Sequence, residues 1–312
     1  MTTGAQLPDE TDARGAFVRQ VNVFRDRVTA DGSSGFLAEA GRYHLYVSLA
    51  CPWASRTIIA LRLKGLEDVI SMTIVDPVRD ERGWAFTAQD PDPVNGFAFL
   101  SEAYRLTDPG FDMRVTVPLL WDTQANRAVN NESSEILRML GSEFDAFARN
   151  PQLGLYPEGL REEIDTINAR VYGAVNNGVY RCGFAASQEA YDEAFSELFG
   201  TLDWLDGLLA ERRYLAGAQL TEADIRLFVT LIRFDPVYVG HFKCNLRRIA
   251  DYPHLSGYVR DIYQHPGVRE TVDFDHIKRH YYMTHERLNP GRIVPRGPQL
   301  DLESPPAREH LG

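Results

Sequence analysis

Cysteine and lysine are both scarce in this sequence of 312 residues: Cys51, Cys182 and Cys244 are the only thiols, and Lys64, Lys243 and Lys278 the only lysines. Three widely spaced cysteines, odd in number, exclude a disulfide framework or a zinc knuckle, so each thiol has to be judged singly. Arginine supplies almost all of the 33 basic residues, no basic run of five occurs, and 44 acidic residues bring the formal net charge to −11. A nucleic-acid duplex or an anionic membrane repels such a chain, which argues against both as partners. No segment approaches the roughly 18 consecutive apolar residues of a membrane span. Met1 to Ala16 is polar and acidic, where a secretory signal would be basic and then apolar, so a cytoplasmic protein is expected. A glycine-rich phosphate loop is also missing, and with it any case for a nucleotide.

What is present is a globular composition, 44% hydrophobic and 25% charged, on a chain long enough for two domains. Residues 1–40, with the turn cluster Asp31-Gly32-Ser33-Ser34-Gly35, read as an extension. Tyr43 to Leu49 is β-prone, Pro52 to Gly65 carries Ile58, Ile59, Leu61 and Leu63 in helical register, and Val69 to Val75 is β-prone again. Such a βαβ unit places its two strands in one parallel sheet. Residues 76–113 are rich in Asp, Pro, Gly and aromatics and read as an insertion with a short helix near Phe97 to Tyr104. Val115 to Trp121 predicts a strand in which Pro118 must sit at an end, an edge or a bend. Arg127 to Asn130 predicts its hairpin partner, and Ser133 to Leu140 a helix. The α/β domain is therefore expected over 41–142. After a linker at 143–157, an all-helical domain is expected over 158–289, with helices near 158–180, 188–211, 222–235 and 254–264. Thr221 and Asp224 form a capping box at the start of the third of these. Residues 290–312, with five prolines, read as an irregular tail.

Cys51 follows a strand and precedes Pro52, a residue suited to the first helical position. A thiol there faces the amides and the positive dipole of a helix start, both of which favour the thiolate. Either Cys51 merely packs, as isolated cysteines often do, or it is a nucleophile; the strand-Cys-Pro-helix context favours the second. In Cys51-Pro52-Trp53-Ala54 alanine stands where a redox motif has its second cysteine, so the resolving thiol must come from solution. Val117-Pro118 could be a cis bond that presents the Val117 backbone to an extended ligand. Asn131-Glu132-Ser133 opens a helix, either as a plain cap or as a carboxylate site. Cys182 and Cys244 read as core thiols. His276, His280 and His285 lack an acidic ligand at matching spacing, and no metal is expected.

Together these parts resemble the glutathione transferases, with a thioredoxin-like N-terminal domain and an all-α C-terminal domain. The finer resemblance is to the Xi class, the glutathionyl-hydroquinone reductases. It is carried by Arg42 to Ala54, Gly83 to Phe86, Arg114 to Pro118, Asn130 to Ser133, Asn177 to Phe184, Arg233 to Asn245 and His276 to Tyr282, within roughly residues 16–298. The sequence departs from that pattern at Ser55, where His is usual, and at Pro236, where Ala is usual. The resemblance implies Cys51 as nucleophile, with Trp84, Arg114, Val117, Glu132 and Ser133 holding glutathione as co-substrate. It implies Tyr180 as proton donor or acceptor, Tyr238 and Tyr281 as stabilisers of the Cys51 thiolate, and a homodimer. Two other activities fit the same parts: an omega-like transferase that reduces dehydroascorbate or mixed disulfides, and a ligand-binding protein without catalysis.

Overall fold

The computed structural model describes residues 10–311, so the first nine residues of the expected extension and Gly312 of the expected tail lie outside it. The chain divides into two compact units, the first built from Gln20–Gly154 and Glu270–Val294, the second from residues 10–19, Leu155–Arg269 and residues 295–311.

In the first unit, Val28–Thr29 (β1) and Phe36–Leu37 (β2) form a small parallel pair. The main sheet follows: Tyr43–Val47 (β3), Ser71–Ile74 (β4), Leu119–Asp122 (β5) and Arg127–Asn130 (β6), in the order β4-β3-β5-β6. β3 and β4 are parallel, as a βαβ unit requires, whereas β5 runs antiparallel to β3 and to its hairpin partner β6. Pro52–Lys64 (α1) makes the crossover and Ser133–Ser142 (α3) packs against it. Leu100–Thr107 (α2) lies against β6. α1 ends at Gly65, whose φ of 65° suits glycine, and a Cβ there would meet the Arg149 side chain at 2.7 Å.

Two expectations change here. The strand expected from Val115 starts only at Leu119, because Pro118 has no N–H to offer the ladder and side chains take its place upstream. Tyr104 donates its hydroxyl to the Thr116 carbonyl at 2.7 Å, and the Gln20 amide bonds both the N–H and the carbonyl of Arg114 at 3.0 Å. Secondly, a helix over Phe274–Thr284 (α10) groups with the first unit, although it lies within the segment expected to be the second domain.

The second unit is helical: Arg161–Val171 (α4), Gly178–Gly183 (α5), Gln188–Leu209 (α6), Glu222–Arg233 (α7), Val239–His241 (α8) and Leu255–Tyr263 (α9). The first expected helix is interrupted by a wide π-type turn over Tyr172–Asn176, closed by the Asn177 N–H on the Tyr172 carbonyl at 2.8 Å. A second wide turn, Phe234–Tyr238, holds Pro236, which cannot supply an α-helical N–H.

The expected capping acid of α7 proves to be a hub. Fully buried Asp224 accepts from the Thr221 N–H at 2.8 Å, the Leu215 N–H at 2.9 Å and the Tyr258 hydroxyl at 2.9 Å. Burial nonetheless wins, pushing its carboxyl above the ordinary value against the pull of those donors. Asp224→Ala strands the buried donors of Thr221, Leu215 and Tyr258, at about 1–3 kcal/mol each. Urea unfolding should therefore show a loss of about 3 kcal/mol or more; a loss below about 1 kcal/mol would mean that water replaces the carboxylate.

Candidate active site

The sequence places a buried strand rich in aromatic residues, Tyr43–Val47, ahead of Cys51 and a proline after it, so the chain leaves β3 and within a few residues turns into α1. Cys51 is the N-cap of that helix, with extended backbone (φ −80°, ψ 120°) and 9% of its surface exposed. Its Sγ lies 3.6 Å from the carbonyl oxygen of Val117, whose bond to Pro118 is cis. Two segments separated by 66 residues in sequence thus set the thiol beside an extended backbone. Ser55, one turn on, is buried and donates its hydroxyl back to the Cys51 carbonyl at 3.1 Å.

The start of α3 supplies a compact polar cluster. Glu132 is its N-cap: Oε1 accepts from the Ser134 N–H at 3.1 Å and the Ser134 hydroxyl at 2.8 Å, and Oε2 from the Asn22 amide at 2.8 Å. Burial opposes ionisation of Glu132, but these donors and the nearby Arg56 charge outweigh it and hold the carboxyl below its ordinary value. A depressed acid contributes stability that is present above the unfolded value and is lost as pH falls through the folded one. Ser133 is buried, 3.4 Å from Nη1 of Arg56, whose guanidinium lies 4.5 Å above the Trp53 ring. A helix start, a hydroxyl, a buried cation and a carboxylate in one place suit a ligand that carries both an ammonium and a carboxylate.

Trp84 is buried and lies flat on His280 of α10, with ring centroids 5.1 Å apart and planes 16° from parallel. The Arg79 guanidinium is 4.9 Å from the same indole. Nδ1 of His280 sits 2.7 Å from the Pro77 carbonyl, an acceptor only, so Nδ1 carries the proton. Tyr281 follows on the same helix, buried, with the His280 and His285 rings 5.2 and 5.5 Å away. Among the described residues no group of three or more His, Cys, Asp or Glu could hold a metal ion. None of their helices is long and apolar enough to cross a membrane.

Tyr180 and Tyr238 belong to the second unit and come together there, 6.2 Å apart, with Phe242 stacked on Tyr238 at 5.4 Å. The two segments approach closely because residue 183 is glycine; a Cβ there would meet the Phe242 ring at 2.2 Å. Arg19 lies 4.6 Å above the Tyr180 ring and donates to Oδ1 of Asn177 at 2.7 Å. Cys182 and Cys244 are indeed buried, and they touch: burial first, then the contact with Cys182, push the Cys244 thiol well above its ordinary value.

Gln20, Asn22 and Arg56 are missing from the residues that the sequence nominates. Arg56 looks like one more charge on a helix. Gln20 and Asn22 lie in a stretch read as irregular extension, though Gln20-Val21-Asn22-Val23-Phe24 alternates polar or aromatic with β-branched residues, a strand-like period that could have flagged them.

The comparisons with known proteins agree with this geometry. The family model described as "Glutathione S-transferase, N-terminal domain" matches residues 50–143, and "Glutathione S-transferase, C-terminal domain" matches 188–261. A thiol at the start of a helix beside a cis-proline loop, in a chain matched by both models, defines the class: a glutathione S-transferase. The glutathionyl-hydroquinone reductase YqjG of Escherichia coli is 50% identical over 311 residues, spanning 96% of this chain and 94% of that one. Its glutathione-bound structure has a TM-score of 0.89 at 51% identity, covering 92% of this chain and 96% of that one. The glutathionyl-hydroquinone reductase PcpF of Sphingobium chlorophenolicum is 52% identical over 297 residues, 94% of this chain and 93% of that one. A Xi-class enzyme from Natrialba magadii has a TM-score of 0.91 at 53% identity, covering 92% and 89%. The chain belongs to the Xi class of the glutathione S-transferases, the family of the glutathionyl-hydroquinone reductases.

Proposed function

We propose that this protein is a glutathionyl-hydroquinone reductase that works through a mixed disulfide on Cys51. The observation that carries the reading is the Cys51 thiol at the start of α1, 3.6 Å from the Val117 carbonyl. About half of all positions are shared with reductases of that name over nearly the whole chain.

On this reading the Cys51 thiolate attacks the sulfur of a glutathionyl-hydroquinone. The S–S bond forms as the sulfur–ring bond breaks, and the ring carbon keeps the electron pair and takes a proton from Tyr180. The products are the hydroquinone and Cys51 disulfide-bonded to glutathione. A second glutathione thiolate then attacks that disulfide, releasing glutathione disulfide and the Cys51 thiolate, while its proton restores the donor. The ring is thus reduced by two electrons drawn from two glutathione sulfurs. Glu132 suits the ammonium of the γ-glutamyl group, Ser133 at the α3 start its carboxylate, and the Val117 backbone the extended peptide. Trp84 and Arg114 complete the glutathione site, and Tyr238 and Tyr281 stabilise the thiolate. The family resemblance also implies a cytoplasmic homodimer. Sedimentation of the pure protein should give twice the mass of one chain; a single-chain mass would remove the dimer.

The deciding experiment is intact-protein mass spectrometry after incubation with a glutathionyl-hydroquinone and no other thiol. One glutathione adduct, mapped by digestion to Cys51 and accompanied by free hydroquinone, is the expected result. Tight binding with no adduct would make the chain a ligand-binding protein of the same fold.

A further inference from the structure

We propose that Asn22 is a positioning residue of the glutathione site: its amide fixes the free swing of the Glu132 carboxylate so that Oε2 is aimed at the ligand's ammonium. This rests on the reading that Glu132 anchors glutathione.

A carboxylate offers about four acceptor positions. Ser134 takes two of them on Oε1, through its N–H and its hydroxyl, and Asn22 takes a third on Oε2. With only Oε1 held, the terminal torsion of glutamate is soft and Oε2 is free to turn. The Asn22 contact stops that turn and leaves about one acceptor position for a cation. Asparagine suits the role because a neutral amide orients the carboxylate without neutralising it. An arginine or lysine at 22 would form an ion pair with Glu132 and compete with the ammonium of the substrate.

The segment that carries Asn22 is docked as a strand would be. The Gln20 side chain bonds both backbone groups of Arg114 at 3.0 Å, and Phe24 exchanges hydrogen bonds with Asn131, N–H to Oδ1 at 3.1 Å and carbonyl to N–H at 3.0 Å. Val21 and Val23 between them point outward, 71% and 46% exposed. Alternation of this kind turns Gln20, Asn22 and Phe24 to one side, against the two segments nominated to hold glutathione. The amide of Asn22 is itself oriented by the Thr116 hydroxyl, 3.4 Å from its Oδ1, which leaves Nδ2 for Glu132.

The test is a double-mutant cycle on the full-length protein, with dissociation constants for S-methylglutathione, which cannot form a mixed disulfide, read by calorimetry. A hydrogen bond to a charged group predicts that Asn22→Ala weakens binding about tenfold or more. Glu132→Gln should weaken it at least as much, and the double variant should be no weaker than Glu132→Gln alone, because Asn22 acts through Glu132. Turnover of enzyme saturated with both substrates should stay within about twofold for Asn22→Ala, since uniform binding is what is lost. Asn22→Asp keeps the volume, removes the donor and adds a like charge; it should bind more weakly than Asn22→Ala, and it answers the same question if the alanine variant folds poorly. If Glu132→Gln weakens binding while both Asn22 variants bind within twofold of wild type, the proposal is wrong and the anchor stands. Losses that multiply in the double variant would also overturn it. If Glu132→Gln itself binds normally, the anchor reading fails and takes the proposal with it.

Discussion

Cys51→Ser is expected to lower turnover of a glutathionyl-hydroquinone by more than about a hundredfold, roughly 2.7 kcal/mol of barrier, and to leave S-methylglutathione affinity within a few fold. Serine has nearly the shape of cysteine and keeps the backbone of the α1 start, so the polar cluster at Glu132, Ser133 and Arg56 is untouched. What it lacks is a nucleophile at neutral pH, because its hydroxyl stays protonated where a thiol ionises. In the proposed reaction the ring receives its electron pair when the Cys51 sulfur takes the glutathionyl group, so the step needs a thiolate at position 51. Steady-state assay of hydroquinone release beside calorimetry of the same preparation checks both halves. Retention of more than a hundredth of the rate would rule out covalent catalysis at Cys51, and parallel loss of affinity would give the thiol a role in binding.

The second large effect separates this reaction from that of an omega-like reductase. A disulfide substrate expels a thiolate, which needs no proton, whereas a ring leaving through a carbon–sulfur bond must be protonated on carbon. Tyr180→Phe removes one hydroxyl and keeps the ring that packs against Phe242 and Phe184 at 5.4 and 6.2 Å. Loss of a positioned acid typically costs a factor of about 10² to 10⁴. Turnover of the glutathionyl-hydroquinone should fall by that factor, while reduction of hydroxyethyl disulfide should change by less than about fivefold, of the order of one ordinary hydrogen bond. Equal losses on both substrates would make Tyr180 a pocket-shaping residue and leave the carbon protonation to another group.

The features that the sequence made legible are those with a short-range physical cause. Cys51-Pro52 marks a helix start because proline fits the first turn, and α1 runs from Pro52 as expected. The parallel β3–β4 pair and the β5–β6 hairpin follow from spacing, and the Thr221–Asp224 box from three-residue periodicity. Pro118 shows how the same reasoning runs out. Its missing N–H predicted trouble in a strand, but not that Tyr104 and Gln20 would take over the pairing of Thr116 and Arg114, since those partners lie 12 and 94 residues away. Helical periodicity over 158–180 likewise gave no sign of the wide turn at Tyr172–Asn176, because the apolar face continues through it.

By itself the sequence determined an α/β half and a helical half, the position of the thiol and the acid–hydroxyl pair at Glu132-Ser133, all properties of residues within a turn or a strand of one another. Tertiary structure alone decided which distant residues complete each part. Asn22 meets Glu132 across 110 positions, and α10 returns after the helical segment to lay His280 on Trp84 in the first unit. Cys182 meets Cys244 in the second unit. The reason is that local preferences, about a kilocalorie or less per residue, choose helix or strand, whereas the pairing of buried polar groups and flat rings depends on which surfaces folding brings together.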